Sequence, residues 1–381
     1  MTEQTCKRCL YTNEFPLIQF DDEGVCNYCH DYDQLCEEYP TGEEGQKRLE
    51  QLAIDVKKAG KGKPYDVIIG VSGGCDSSFM MHQAIELGLR PLAVHFDNTW
   101  NSTIASQNIR KMTEKLKIDL YTVVADNKEY DDIYKAFIKA GVPDIEAPTD
   151  IAFAAVMYKA AAKFGVKYSF NGHSFRTEGV SPLGWLYMDG KYIADVHKKY
   201  GKIPMKTYPN MTLLKQLKWM IFNGVKQIRP IYYSHYIKED VKKMLIEKYD
   251  WEWYGGHHLD NRFTAFYHRY FMPKRFGIDM RIIEQSALVR CGQLTRAEAE
   301  AEMAKVPYED PKAIEIMELV KKRLGYSDNE FQSLMEAPKR NYREFKNYKK
   351  TFVRLKPLLW LMYKLELAPK NFYTKYTKKE D

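Results

Sequence analysis

The chain has 381 residues, 45% of them hydrophobic and including 28 Tyr and 18 Phe, which excludes a disordered protein and leaves room for two structural units. No apolar run approaches the roughly 20 residues of a membrane-spanning helix, and Met1-Thr2-Glu3-Gln4-Thr5-Cys6 shows no secretory pattern, so a cytoplasmic protein is expected. The net charge of +7 is unevenly placed: residues 337–381 hold 13 Lys/Arg against 4 Asp/Glu, while the preceding 336 hold 45 against 47, so no nucleic-acid partner is expected for the body.

In chain order, the first feature is Cys6-x2-Cys9 followed by Cys26-x2-Cys29. Two close pairs let four thiolates converge on one Zn2+, each pair gripping from its own turn, and a segment this short needs the metal to fold. Disulfides fit poorly in a chain expected to be cytoplasmic. A redox pair would need only one such motif, and His30 is an alternative fourth ligand. Cys36, Cys75 and Cys291 are scattered and read as packing or loop residues.

A helix is predicted over about 43–59, then Gly60-Lys61-Gly62-Lys63-Pro64 leads into the strand Val67-Ile68-Ile69. The strand feeds Val71-Ser72-Gly73-Gly74-Cys75-Asp76-Ser77-Ser78, and a helix follows to Gly88. Adjacent glycines let successive backbone N–H groups point into one concavity, and the following helix adds free N–H groups and the positive end of its dipole. Ser72, Ser77 and Ser78 supply hydroxyls, and Asp76 is a candidate Mg2+ ligand. No Gly-Lys-Ser/Thr follows, so this is not a Walker A loop.

Strands at 91–97, 120–124 and 167–171 alternate with helices at about 102–117 and 149–164. That alternation predicts an α/β fold with a parallel sheet covered on both faces, ligands lying beyond the carboxyl ends of the strands. Ser72–Ser78, Asp97-Asn98 and Asn171-Gly172-His173-Ser174 all fall there. Beyond 180 the alternation fades into a Tyr/Lys-rich, mostly helical region with clear helices at 237–249 and 295–305. The predicted organisation is a zinc module over 1–40, a nucleotide-binding core over 41–180, a substrate or partner region over 181–336 and a basic aromatic tail over 337–381. The apolar centre of that tail, 357–363, is expected to dock on something.

The glycine-serine loop resembles the PP-loop of the ATP pyrophosphatases, which split ATP into AMP and pyrophosphate while adenylating a carbonyl-type oxygen. The paired cysteines, that loop and Asn171-Gly172-His173-Ser174 are followed by Gly255-Gly256-His257-His258, then Lys274-Arg275-Phe276-Gly277-Ile278-Asp279-Met280-Arg281 and Gly292-Gln293-Leu294-Thr295-Arg296. Together they are similar to the N-acetyl sugar amidotransferases of bacterial surface-polysaccharide biosynthesis, over most of residues 1–305. Where that family has Lys-His-x-Glu, this chain has His257-His258-Leu259-Asp260.

The resemblance implies that ATP adenylates the carbonyl of an N-acetyl group on a nucleotide sugar, and that ammonia displaces AMP to leave an acetamidine, as in O-antigen assembly. ATP, Mg2+ and Zn2+ are the implied cofactors. The ATP-binding candidates are Ser72, Gly73, Gly74, Asp76, Ser77, Ser78, Asp97, Asn98 and Gly172, with Asp76, Lys274 and Arg275 as catalytic candidates. His173, Arg176, Lys199, Asp279 and Arg281 are candidates for substrate contact. His173 is as well explained as a structural hydrogen-bonder, and Lys198-Lys199 as a solvated face. No glutaminase motif is visible, so a glutaminase and cyclase-like pair of ammonia-supplying subunits is implied. The alternative is a tRNA-modifying PP-loop enzyme, of thiolation or lysidine type, to which the basic aromatic tail would suit RNA.

Overall fold

A computed structural model describes residues 4–179, 186–221 and 223–365, with 373, 376 and 377, the side chains of 220 and 221 apart. The rest of the predicted tail lies outside the described residues. After the cysteine module come α1 (Asn27–Glu38) and α2 (Gly42–Ala59). The alternating core follows: β1 (Val67–Gly70), α3 (Cys75–Glu86), β2 (Pro91–Asp97), α4 (Thr103–Leu116), β3 (Asp119–Val124), α5 (Asn127–Ala140), α6 (Ala147–Phe164) and β4 (Tyr168–Phe170). Next are α7 (Gly190–Tyr200), α8 (Leu213–Ile221), β5 (Lys226–Ile228) and α9 (Lys238–Tyr249). The helical C-terminal part contains α10 (Arg262–Phe266), α11 (Arg281–Arg290), α12 (Arg296–Met303), α13 (Pro311–Leu324), α14 (Asp328–Glu336), α15 (Lys349–Arg354) and α16 (Lys356–Lys364). Between α10 and α11, Tyr267–Phe276 is a π-helix closed by Gly277 in the left-handed conformation.

The sheet is five-stranded and parallel, in the order β3-β2-β1-β4-β5. Both faces are covered, and the strand pleat shows it. Ile68, Leu92, Val94 and Phe96 enter one core with α5, α6 and α7, whereas Val67, Ile69 and Ala93 enter the other with α2, α3, α4 and α9. The strand order reverses at β1/β4, so the loops after these strands diverge and leave a crevice.

The expected α/β architecture is therefore present. Helix α3 starts at Cys75, inside the Ser72–Ser78 loop motif, so Asp76 and Ser77 occupy its first turn. Among the elements beyond the sequence-based expectation are α5 and β5. Helix α5 is capped by Asp126 and closed by left-handed Gly141, and its Tyr130, Ile133, Tyr134 and Phe137 repeat at helical spacing. Strand β5 has three residues, too few for a period-two pattern to emerge.

The basic segment after 337 is part of the body as far as it is described. Tyr342 stacks on Tyr187 at 4.2 Å. Asp189 accepts from the Tyr348 N–H at 2.7 Å, and Asp195 from that of Lys346 at 2.9 Å. Phe345, Phe352, Leu359 and Met362 are buried in the main core, so these rings are not displayed for stacking on bases. Truncating Phe352 to Ala should cost about 3–5 kcal/mol of unfolding free energy, measured by chemical denaturation. A loss near zero would mean that the segment is an appendage.

Candidate active site

The loop after β1 is built on one tight backbone position. Gly73 has φ +82°, and a Cβ there would sit 2.2 Å from the carbonyl oxygen of Ala105. Its own carbonyl is held from outside by Asn108 Nδ2 at 3.2 Å and by the indole N–H of Trp251 at 3.1 Å. The Ser72 hydroxyl accepts from the Gly74 N–H at 3.2 Å, and that of Ser77 donates to the Gly74 carbonyl at 3.1 Å. The loop thus closes on itself at the α3 N-terminus, whose free N–H groups are of the kind that bind anions, and of Ser72–Ser78 it is Ser72 that reaches the crevice. Ser78 is fully buried and does not line the opening.

A cavity of about 740 Å³ lies at the carboxyl ends of the strands. Ser72, Asn98 and His173 line it. Asn98 is spent on structure, bonding Trp100, Asn261 and Tyr134, and Asp97 accepts from the Thr99 N–H at 2.7 Å. Gly172 brings the loop after β4 against the first: a Cβ there would lie 3.3 Å from the Asp76 backbone. His173 contacts the Tyr232 hydroxyl at 3.2 Å, and burial together with nearby Arg229 pushes its pKa down to about 3.

Several groups facing the loop were not singled out in the sequence. Asp260, which ends the His257-His258-Leu259-Asp260 block, takes a hydrogen bond from the Ser72 hydroxyl, and burial raises its pKa. Asp76 accepts from the Tyr236 hydroxyl and shares a hydrogen bond with Glu178, whose pKa is raised strongly by burial and by Asp76. Lys238, at the start of α9, is buried and places Nζ 2.8 Å from Glu284 and 3.1 Å from His257 Nδ1. Burial opposes its charge, but Asp76, Glu284 and Glu178 outweigh that and raise its pKa. The spacing signal for Lys238 was absent; only Gln293, from the Gly-Gln-x-Thr-Arg block, hints at it, by accepting from the Lys238 N–H at 3.1 Å.

Other predicted cations are engaged elsewhere. Arg176 spends its guanidinium on the carbonyls of Tyr232 and Tyr39, at 2.6 and 2.8 Å. Lys199 pairs with Asp195 at 2.7 Å and lies over Phe345, outside the cavity lining. Buried Arg275 donates to the carbonyls of Leu334, Met335 and Ala337, tying the π-helix to the end of α14, while exposed Lys274 lies over Tyr308. Sequence alone does not distinguish a cation facing a ligand from one closing off carbonyls. Arg281 does line the cavity, held by Asp279 at 2.6 Å and by Glu302.

The cysteines converge. Their sulfurs lie within 4.8 Å of one another, with separations of 3.6–3.8 Å for the 26–29, 9–26 and 6–29 pairs. A disulfide would need about 2.05 Å. A tetrahedron with Zn–S bonds of about 2.3 Å has edges of about 3.8 Å, so the cluster fits zinc. Buried Arg290 donates to Cys29 Sγ at 3.3 Å and Cys9 Sγ at 3.1 Å, which suits sulfurs carrying negative charge. His30 is not a ligand here; its Nε2 meets Asp21 at 2.8 Å. Arg296 donates to the carbonyls of Cys6 and Cys9, at 2.8 and 3.0 Å, and fixes the module to α12.

With this geometry in place, the comparisons carry weight for the wall opposite the loop. Residues 260–358 match a known family. It is described as the C-terminal domain of WbpG-like LPS biosynthesis proteins, and the matched segment contains Asp260, Arg281, Glu284 and Arg290. No curated protein matches the sequence. Among solved structures, NMN synthetase from Francisella tularensis is 15% identical, covering 58% of this chain and 92% of its own, with a TM-score of 0.27. NH3-dependent NAD synthetase from Campylobacter jejuni is 14% identical, covering 67% and 96%, with a TM-score of 0.28. A predicted tRNA methyltransferase subunit from Methanocaldococcus jannaschii is 12% identical, covering 57% and 90%, with a TM-score of 0.30.

Glu146, in the cavity wall, gives the site a pH signature. Burial and neighbouring Asp150 raise its pKa from 4.5 to about 8. The folded state therefore holds a proton that the unfolded state releases above 4.5, and stability falls as pH rises from about 4.5 to about 8. Glu146→Gln should remove that slope, so denaturation midpoints of the two proteins diverge across this window in favour of the variant. Parallel pH profiles would show that Glu146 ionises normally.

Proposed function

We propose that this chain is an ATP-dependent amidotransferase that converts an N-acetyl group of a nucleotide-activated sugar into an acetamidino group during surface-glycan biosynthesis. The observation that carries this reading is the meeting of two parts of the sequence across one cavity. The Ser72–Ser78 loop faces a wall contributed by the segment that matches the LPS-biosynthesis family, with Asp260 on Ser72 and Glu284 reaching Asp76 through Lys238.

An amide carbonyl is a poor electrophile, and adenylation turns its oxygen into a leaving group. The acetamido oxygen attacks the α-phosphorus of ATP, pyrophosphate departs, ammonia adds to the activated carbon, and AMP leaves with the former carbonyl oxygen. The loop amides and the α3 N-terminus bind the departing phosphates, and Lys238 supplies a fixed positive charge beside them. Asp76 and Glu178 are the carboxylates that would hold Mg2+, which when bound offsets the charge on the phosphate oxygens. His173 and His257 are kept neutral by burial, and so place no positive charge beside the incoming ammonia. The Cys6-Cys9-Cys26-Cys29 cluster would hold Zn2+ in a structural role, since four sulfurs leave no open position.

Nitrogen must come as ammonia. Cys75 is buried beneath the loop, its thiol pushed up to about 12 by burial, and neither Cys36 nor Cys291 lines the cavity. A glutamine-hydrolysing partner is therefore part of the proposal. The second reading, tRNA modification, loses its main support because Tyr342, Phe345 and Phe352 are buried.

Incubation with ATP, ammonium and UDP-N-acetyl sugars should yield AMP, pyrophosphate and a sugar in which one carbonyl oxygen has become an imino group. Turnover should rise with pH as NH3 replaces NH4+, and glutamine alone should support none. Asp76→Asn should lower AMP formation at least a hundredfold while the fold persists by circular dichroism. Near-normal turnover in that variant would remove Asp76 from the metal site, and glutamine-dependent activity of the chain alone would reveal an overlooked nucleophile.

For the metal, elemental analysis should find one zinc per chain, and Cys26→Ser should lower that content and loosen the N-terminal module to proteolysis. Purified protein free of zinc with the module intact would refute the assignment.

A further inference from the structure

Helix α16 is apolar on both sides, yet it buries only one of them. Leu359 and Met362 enter the core, at 1% and 2% exposure. On the outer side Leu358, Leu361 and Leu365 recur at i, i+3 and i+7 with Trp360 beside them, and their exposures are 37%, 47%, 54% and 48%. A helix with two apolar faces is ordinarily covered on both. On α16 and the preceding α15, Lys350, Arg354, Lys356 and Lys364 are exposed, and none of them pairs with a carboxylate among the described residues. Lys364 lies over the Trp360 ring at 5.8 Å, in the arrangement of a long side chain lifting its charge beside an apolar surface.

We propose that this outer face of α16 docks on an anionic lipid bilayer. Exposed leucines and a tryptophan on a short segment with four exposed cations fit the boundary between acyl chains and negatively charged headgroups. A nucleic acid would take up the cations but leave the leucines in water. A second copy of the chain would set four cations against four cations. The residues after 365 carry four lysines against three acidic residues, so the sequence there does not offset the positive charge. Docking requires no change in the core, because the inner face stays buried.

The test reads binding without turnover and so stands apart from the proposed reaction. Full-length protein is sedimented with phosphatidylcholine vesicles with and without phosphatidylglycerol. Binding is expected only to the anionic vesicles, weakening as salt is raised. Leu361→Glu combined with Trp360→Glu should weaken it at least tenfold, and Lys350→Glu with Lys356→Glu should abolish the preference for anionic lipid. Trp360 emission, obtained as the difference from Trp360→Phe, should be water-like without vesicles and blue-shifted with them. No sedimentation at low salt, equal binding by the variants, or an apolar Trp360 before any lipid is added would each overturn the proposal. The last result would mean that the chain itself or a second copy already covers the face.

Discussion

One buried ammonium ties the site together. Lys238 sits among three carboxylates that the chain delivers from separate places: Asp76 from the first turn of α3, Glu178 from the stretch after β4, and Glu284 from α11. A buried lysine without partners would shed its proton, and buried carboxylates without a cation would take one up. Each side therefore depends on the other, and the geometry of the crevice follows from their meeting. The balance is incomplete, since three acids face one base, and Glu178 responds by a raised pKa. Such a centre favours a further cation.

Helix α11 carries this centre to the cysteine module. Its first residue, Arg281, and its Glu284 face the cavity, while its last, Arg290, donates to two of the four sulfurs. Ser286 on the same helix accepts from the Leu10 N–H at 3.3 Å. A ten-residue helix is about 15 Å long and stiff, so the module fixes its far end. The module is small, with Tyr11, Phe15 and Tyr28 packed around the sulfurs as its own core. Its contribution is to hold α11, and through Glu284 the lysine, in place.

The parts of the site governed by backbone geometry were legible in the sequence, and the parts governed by side-chain direction were not. Gly73 and Gly74 after an apolar strand, and four cysteines in two close pairs, admit few alternative structures. Arg275 and Lys274 are adjacent in sequence, yet one is buried against carbonyls and the other stands over a ring in solvent. Their charge says nothing of where the guanidinium or ammonium ends. Lys238 and Glu178 were hidden for the complementary reason. Each is a single charged residue in an unremarkable context, and only the fold gathers them. In the described part of the basic tail Tyr342, Phe345 and Phe352 turn inward while Trp360 and the charges stay outside, a segregation that composition alone had left open.

The division of charge within the cavity also orders any ligand that spans it. At the loop end, amide N–H groups and the α3 dipole offer positive potential, and the acids there, Asp76 and Glu178, are faced by Lys238. Farther along, Asp144, Glu146 and Asp150 line the wall, and Arg269 and Arg281 are already paired with Asp310 and Asp279. An anionic group placed against that wall would meet repulsion with no free cation among the described lining residues to offset it. A hydroxyl- and amide-bearing group would instead find acceptors, and in Glu146, protonated below about 8, a donor. On the proposed reading, the triphosphate is therefore oriented toward Ser72–Ser78 and the neutral sugar ring toward the acidic wall. The acetamido oxygen then lies between the two, where phosphorus is to be attacked. The same polarity draws ammonium toward the acids, while the histidines in the wall, kept neutral by burial, do not repel it.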